Sequence, residues 1–320
     1  MKKSVVIGSG SYLPEKIMTN DDLAKIVDTN DEWISTRTGI RQRHIAAAGE
    51  MVSNMAAKAS EAALKKAGIS AQEIDLIIVA TTTPDRTFPS TAVSVQALLN
   101  AKNAAAFDVQ AVCSGFIYAM SIANNFIKTD QSKNILVIGA DKMSAILDWQ
   151  DRNTCVLFGD GAGAVVLQAQ DGNSGRGIIS TNLYSDGNFQ DILNTNGGVG
   201  FSGVAGKVAM QGQEVFKHAV DKMSSCVKNA LSDAELSVTD INFLVPHQAN
   251  SRILDMVAKK LSVPGEKVIS TVQYHANTSA ASIPLALDYA NLNNQFKPGD
   301  LIALTALGGG LTWGTCLLKW

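Results

Sequence analysis

The sequence predicts an α/β fold made of two similar halves, and three observations carry that prediction. Short apolar runs alternate with longer segments of helical period. One passage recurs, "AGISAQEIDLIIVA" at 67–80 and "AELSVTDINFLVPH" at 234–247, and aligning Ile74 with Ile241 gives an offset of 241 − 74 = 167 residues. Later pairs keep the same order: "NILVIGADK" answers "DLIALTALGGG" as a buried strand, and "GDGAGAVVLQ" answers "GGGLTWGTCLLKW" as a glycine turn feeding a strand. A period of that size is far too long for a solenoid, so an ancestral duplication of strand–helix units is expected. Chance likeness between two helix–turn–strand units is the alternative, and the ordered later pairs weaken it.

In chain order, "SVVIGSG" reads as a first buried strand, Ser53 to Lys66 as a helix, "DLIIVATTT" as a second strand and "TAVSVQALLN" as a second helix. "FDVQAVCSGF" (107–116) is strand-like until Gln110 to Val112, then reaches Cys113 and the small residues that open the helix "SGFIYAMSIANNFIK". The polar, glycine-rich "QDGNSGRG" (170–177) has no apolar periodicity and marks the seam, dividing the chain into halves 1–170 and 171–320. Beyond it, the strand in "LVPHQANSRI" stops at Pro246 and His247, the segment "SRILDMVAKKLS" has helical period, and "YHANTSAASIP" sets Asn277 among small residues able to open a helix.

With 46% hydrophobic residues, the 320-residue chain can bury a sizeable core. Its net charge of −2 gives no bulk reason to bind nucleic acid, although a local basic patch can serve an acidic partner. Gly8, Ser9, Gly10 and Ser11 interrupt the first apolar run too early for a signal peptide, and no apolar run is long enough to span a bilayer. A cytosolic enzyme is expected. Cys113, Cys155, Cys226 and Cys316 form no C-x-x-C pair, which fits free thiols in a reducing compartment. The histidines show no metal-ligand spacing, so no metal site is expected.

Three polar stretches lie where apolar strands stop, and in open α/β sheets the carboxyl ends of strands line the ligand crevice. Cys113 falls at a helix N-terminus, whose partial positive charge favours thiolate and whose N–H groups can bind an oxyanion, so a depressed pKa is expected. A lone free cysteine is usually inert packing, a lone histidine usually a satisfied structural residue and a lone asparagine usually a cap. The joint placement of Cys113, His247 and Asn277 in a duplicated frame is harder to dismiss.

The motifs "DVQAVCSGF", "FGDGAGAVVL", "LVPHQAN", "HANTSAASIP" and "ALGGGLTWG", with "TNDEWISTRTGIRQRHI" at 29–45, resemble those of the thiolase-fold condensing enzymes, specifically the 3-oxoacyl-acyl-carrier-protein synthase III family. The likeness runs from Val5 to the C-terminus. It implies a five-layered αβαβα fold from two βαβαβαββ-type halves, normally as a homodimer. The activity it implies is a decarboxylating condensation of an acyl-CoA, such as acetyl-CoA, with malonyl-acyl carrier protein, the first step of fatty acid synthesis. Coenzyme A thioester is then a substrate, and no cofactor is implied.

Carried over position by position, the resemblance makes Cys113 the acylated nucleophile and His247 and Asn277 donors to the malonyl thioester oxygen. It assigns the oxyanion hole to the N–H groups of Cys113 and Gly309, since glycine can come close to a ligand and adopt positive φ. Thr29, Trp33, Arg37 and Arg152 are implied as the coenzyme A site, with Trp33 stacking on adenine and the arginines binding phosphates. Phe88 is implied to close a partner subunit's acyl pocket, and Leu307 lines that pocket. Lys217, Arg252, Lys259 and Lys260 are the expected carrier-protein contacts; Arg252 and Lys259, seven residues apart, share one side of a helix. Two positions depart from the family: Leu307 stands where many relatives have an aromatic, and Gln213 where asparagine is common.

Papain-like hydrolases share the chain order Cys, His, Asn, and 247 − 113 = 134 falls within their spacing of about 130–150 residues. Their C-G-S/A-C-W/Y signature is missing at "AVCSGF". An idle α/β binding scaffold would have no reason to keep all three residues. A chalcone-synthase-like polyketide enzyme shares the triad and is the nearest alternative, although its chains are usually longer.

Overall fold

The computed structural model describes residues 2–172 and 175–320. The first half supplies strands β1 (Lys2–Tyr12), β2 (Leu76–Ala80), β3 (Ala105–Val109), β4 (Asn134–Lys142) and β5 (Asp160–Asp171). The second supplies β6 (Gly177–Ser185), β7 (Phe243–Pro246), β8 (Leu301–Gly308) and β9 (Thr312–Lys319). The longer helices are α1 (Asp31–Thr38), α2 (Val52–Ala67), α3 (Thr91–Leu98), α4 (Gly115–Lys128), α5 (Gly212–Asp233), α6 (Ser251–Leu261) and α7 (Ser282–Leu292).

The two large sheets repeat one topology. The first runs β1-β5-β4-β2-β3, with antiparallel pairing up to β4 and parallel pairing beyond it. The second runs β6-β9-β8-β7 with the same change of sense, and a parallel bridge from Leu244 to Val268 stands where a fifth strand would lie. The recurring passage is reproduced in detail: Ser70 and Ser237 each cap a 3-10 turn with Glu73 or Asp240, and Ile74 and Ile241 are both buried. The offset of 167 also maps the start of α4 onto that of α7, since 115 + 167 = 282. The duplicated α/β frame expected from the sequence is present.

Hydrophobic burial fixes the layers. Phe116, Ile117, Met120 and Ile127 of α4 lie in one core with Ile283, Leu287 and Ala290 of α7 and with residues of both sheets. These two helices are therefore the central layer, and burying each such large side chain contributes about 1.5–3 kcal/mol. On the outer face of the first sheet, Met55, Ala59 and Ala63 of α2 pack with Ile77, Ile138 and Val166. Gly10 makes that contact close, because a Cβ there would lie 2.2 Å from the Ala59 carbonyl. Met223 and Val227 of α5 and Ile253 and Val257 of α6 cover the outer face of the second sheet. The order is helix, sheet, helix, sheet, helix.

Strand β5 runs to Asp171, across the boundary expected at 170, and residues 173–174 of the expected seam lie outside the described residues. Among the described residues no helix is long and apolar enough to cross a membrane.

Candidate active site

A cavity of about 420 Å³ opens where the carboxyl ends of strands from the two halves meet, and Cys113, His247, Asn277, Leu307 and Gly309 all line it. Among the described lining residues there is no aspartate, glutamate, lysine or arginine.

Cys113 sits in the 3-10 turn Val112–Ser114 that leads into α4, after Val112 with φ of +48°. The side chain is only 5% exposed, and burial pushes its thiol up to about 12; the Ser279 hydroxyl pulls it back and the Asp141 charge adds to the rise. The depressed pKa expected at a helix N-terminus is therefore not found. A thiolate this deeply buried loses its hydration, and that loss outweighs the helix-end charge.

His247, just past β7, is 3% exposed, and its Nδ1 lies 2.6 Å from Ser282 Oγ. Ser282 Oγ accepts the Gln248 N–H at 3.3 Å, so its own proton is free to go to Nδ1. With Ser282 Oγ donating to Nδ1, the ring proton sits on Nε2 and makes that nitrogen a donor. Burial pushes His247 down to about 3, which keeps the ring neutral. Asn277 accepts the Ser279 N–H through Oδ1 at 2.9 Å, fixing the amide so that Nδ2 is the group left to donate. Its backbone is tied to the first half, with its N–H bonding Leu157 O and its carbonyl accepting from Gly159. Two neutral N–H donors thus share a cavity with the thiol.

The glycines at 308–310 differ in purpose. A Cβ on Gly308 would lie 2.8 Å from both Ala111 O and Cys113 N, and one on Gly309 would lie 2.7 Å from Leu193 O. Positive φ occurs at Gly310, +135°, and not at Gly309, where it was expected. Gly309 needs to be small because of close approach alone. Among the described residues no backbone carbonyl accepts from the N–H of Cys113 or of Gly309.

The other expected residues fall into separate groups. The guanidinium groups of Arg37 and Arg152 lie over the Trp33 ring at 4.7 and 5.1 Å, and Arg152 also donates to Asp28 O at 3.0 Å. The Thr29 hydroxyl is buried without a partner among the described residues. This group adjoins the cavity through Asn250, a lining residue whose amide bonds Arg37 O at 3.2 Å. The Arg252 guanidinium lies 5.7 Å from the ring of the lining residue Phe216. Lys217 and Lys259 are exposed. Lys260 is not free as expected, because it pairs with Asp221 at 2.6 Å. Phe88 is 82% exposed and does not line the cavity of its own chain. Gln213 is exposed at the start of α5; its neighbour Gly212 is the lining residue.

Sequence reasoning missed several parts. The antiparallel ribbon of Leu193–Thr195 with Val208–Met210 lines one wall, and its glycine-rich connection shows no periodicity that would reveal it. Ser282, which orients His247, looked like one small residue among many. Asp141 ends the apolar strand "NILVIGADK", a signal of the same kind as His247 after "LVP".

The profile of 3-oxoacyl-[acyl-carrier-protein] synthase III matches residues 107–187, and that of its C-terminal region matches 231–320. A β-ketoacyl-[acyl-carrier-protein] synthase III of Ehrlichia canis is 59% identical over 319 residues, covering 100% of both chains. The chain belongs to the 3-oxoacyl-[acyl-carrier-protein] synthase III family. Its member from Wolbachia pipientis is 60% identical over 321 residues, again with 100% coverage of both. The crystal structure of the Aquifex aeolicus synthase III superimposes with a TM-score of 0.95 at 49% identity, covering 99% of this chain and 100% of that one. The five-layered architecture is thus the thiolase fold of the synthase III family, and the chain is an acyltransferase-type condensing enzyme.

Proposed function

We propose that the chain condenses an acyl-CoA with malonyl-acyl carrier protein, releasing coenzyme A and CO₂ and giving a 3-oxoacyl-carrier protein that starts fatty acid synthesis. The observation that carries this reading is the meeting of one thiol and two neutral N–H donors in a cavity whose described lining residues carry no charge. Cys113 sulfur attacks the acyl thioester carbon, the bond to coenzyme A sulfur breaks, and the Cys113 proton leaves with the coenzyme A thiolate. Decarboxylation of the malonyl group then sends an electron pair onto its thioester carbonyl. His247 Nε2–H and Asn277 Nδ2–H stabilise that enolate without proton transfer. The carbanion attacks the acyl-cysteine, the tetrahedral oxyanion is held by the N–H groups of Cys113 and Gly309, and its collapse frees the thiolate, which takes a proton from water to restore the thiol.

Trp33, Arg37, Arg152 and Thr29 form the coenzyme A site in this reading. The 4.7 and 5.1 Å contacts leave no room for a base between ring and guanidinium, so adenine stacking requires one arginine to move aside. Arg252 leads the carrier-protein contacts, with Lys217 and Lys259, and the reaction needs no resident cofactor. The working form is a cytoplasmic homodimer in which Phe88 closes the partner's acyl pocket. Its exposure, the outer edge of β3 and the exposed Val93 and Leu98 on α3 support that arrangement.

Intact-protein mass spectrometry after incubation with acyl-CoAs tests the first half-reaction. Wild type is expected to gain the acyl mass and Cys113→Ser to gain none, because a serine here has no base to activate it. Acylation of the serine variant at the wild-type rate would refute the assignment. His247→Ala and Asn277→Ala should lose malonyl decarboxylation, each by about 10²–10³-fold.

A further inference from the structure

Asp141, at the end of β4, is fully buried, and the reaction as written does not use it. Its Oδ1 accepts from Thr81 Oγ1 (3.1 Å), Thr82 N (2.8 Å), Thr83 N (3.2 Å) and Thr83 Oγ1 (3.0 Å), and its Oδ2 from Ala280 N (3.0 Å). Burial raises the Asp141 pKa above the ordinary carboxylate value, and these partners, every one a donor, oppose that rise together with the Ser279 hydroxyl by favouring the ionised form. The bond to Ala280 crosses between the halves. It fastens the segment 276–280, which presents Asn277.

That segment needs fastening. Ala276 has φ of +57° and ψ of −161°, and Ser279 has φ of +52°. Non-glycine residues held in such regions cost on the order of 1–3 kcal/mol each and persist only where surrounding bonds determine them. Asn277 lies between the two strained positions.

The internal repeat gives an independent argument. At the offset of 167, Val112 corresponds to Ser279 (112 + 167), Cys113 to Ala280 and Asp141 to Gly308. Val112 and Ser279 share positive φ, and Ser114 N and Ala281 N each bond the carbonyl three residues back at 3.1 Å. In one copy the Asp141 carboxylate sits on the Ala280 N–H. In the other, Gly308 packs against Cys113 N with no side chain, and among the described residues no carbonyl or carboxylate accepts from that N–H. The two halves treat the same backbone donor in opposite ways.

We propose that Asp141 is a positioning residue that fixes the Asn277 donor, its carboxylate occupying at Ala280 N–H the place that the repeat leaves empty at Cys113 N–H for the substrate oxyanion. This rests on the proposed reaction. One oxyanion slot is filled permanently by the protein, and the other is kept vacant by Gly308.

Asp141→Asn discriminates well, because asparagine can keep its carbonyl toward the threonines while turning its NH₂ against the Ala280 N–H. Two half-reactions are followed: acyl mass on Cys113 from acyl-CoA, and CO₂ release from malonyl-carrier protein. Decarboxylation should fall about 10- to 100-fold, less than for outright removal of a donor, while acylation stays within about threefold. Adding Asn277→Ala to Asp141→Asn should bring the loss to that of Asn277→Ala alone, since both act through one donor. Thr83→Val, which loosens the carboxylate's anchor but keeps its charge, should lower decarboxylation selectively and serves if Asp141→Asn does not fold. Equal loss in both half-reactions, unchanged decarboxylation, or full additivity with Asn277→Ala would overturn the proposal. Failure of the underlying reaction would look different: wild type would release no CO₂, or Asn277→Ala would release it normally.

Discussion

At the residue scale the site works through neutrality. His247 is held neutral by burial, with its folded pKa near 3 and far below the ordinary histidine value of about 6.5. As pH falls below about 6.5 the unfolded chain takes up a proton that the folded chain refuses, so the stability present above that pH is lost progressively toward about 3. Each pH unit in that window costs about 1.4 kcal/mol. Denaturant unfolding at pH 7 and pH 5 should therefore show wild type losing about 2 kcal/mol more than His247→Asn over the interval. His275, also lowered by burial, is common to both proteins and cancels in the comparison. Parallel curves for the two proteins would mean that His247 is solvated. Cys113, His247 and Asn277 were legible because each stands where an apolar run stops. The state of the thiol was not, since the sequence shows a helix start but not the burial that overrides it. Asp141 escaped because its partners come from "TTTPD", 60 residues upstream, and from Ala280 in the other half.

At the element scale, α6 separates the basic residues that sequence spacing had grouped. Arg252 at its start reaches the ring of Phe216 on the cavity wall, while Lys260 at its end is bound to Asp221 of α5. On the proposed reading, Arg252 is therefore the first carrier-protein contact to test, ahead of the paired Lys260. Arg252→Glu should raise the KM for malonyl-carrier protein with acylation by acyl-CoA nearly intact, and the defect should shrink as salt rises and screens the steering. Steady-state kinetics at low and high salt checks this; equal loss with both substrates would assign Arg252 to the fold or the coenzyme A site. The helices and buried strands themselves were readable, because 3.6-residue and continuous apolar patterns are local properties. The ribbon over the cavity was not, being short and held by its place above the site.

At the scale of the whole molecule, duplication was legible from one offset, and the opposite uses of Asp141 and Gly308 show how the copies diverged. The role given to Phe88 rests on resemblance alone; in a single chain it is a bare aromatic side chain. If it acts across a dimer, Phe88→Ala and Cys113→Ser should complement each other. In the mixed dimer the subunit retaining Cys113 receives Phe88 from its partner, so mixing and re-forming two impaired proteins should restore activity to part of the dimers. No gain over the sum of the separate proteins would place Phe88 outside the site. The uncharged lining of the cavity has a consequence of its own. Such an interior is a poor solvent for ions, and a malonyl carboxylate drawn into it by the rest of its thioester finds no lining cation to replace lost water. Carbon dioxide carries no charge to solvate. In the proposed reaction the cavity therefore favours shedding the carboxylate as CO₂, and the negative charge left behind is tolerated only at the thioester oxygen, which the His247 and Asn277 N–H groups serve.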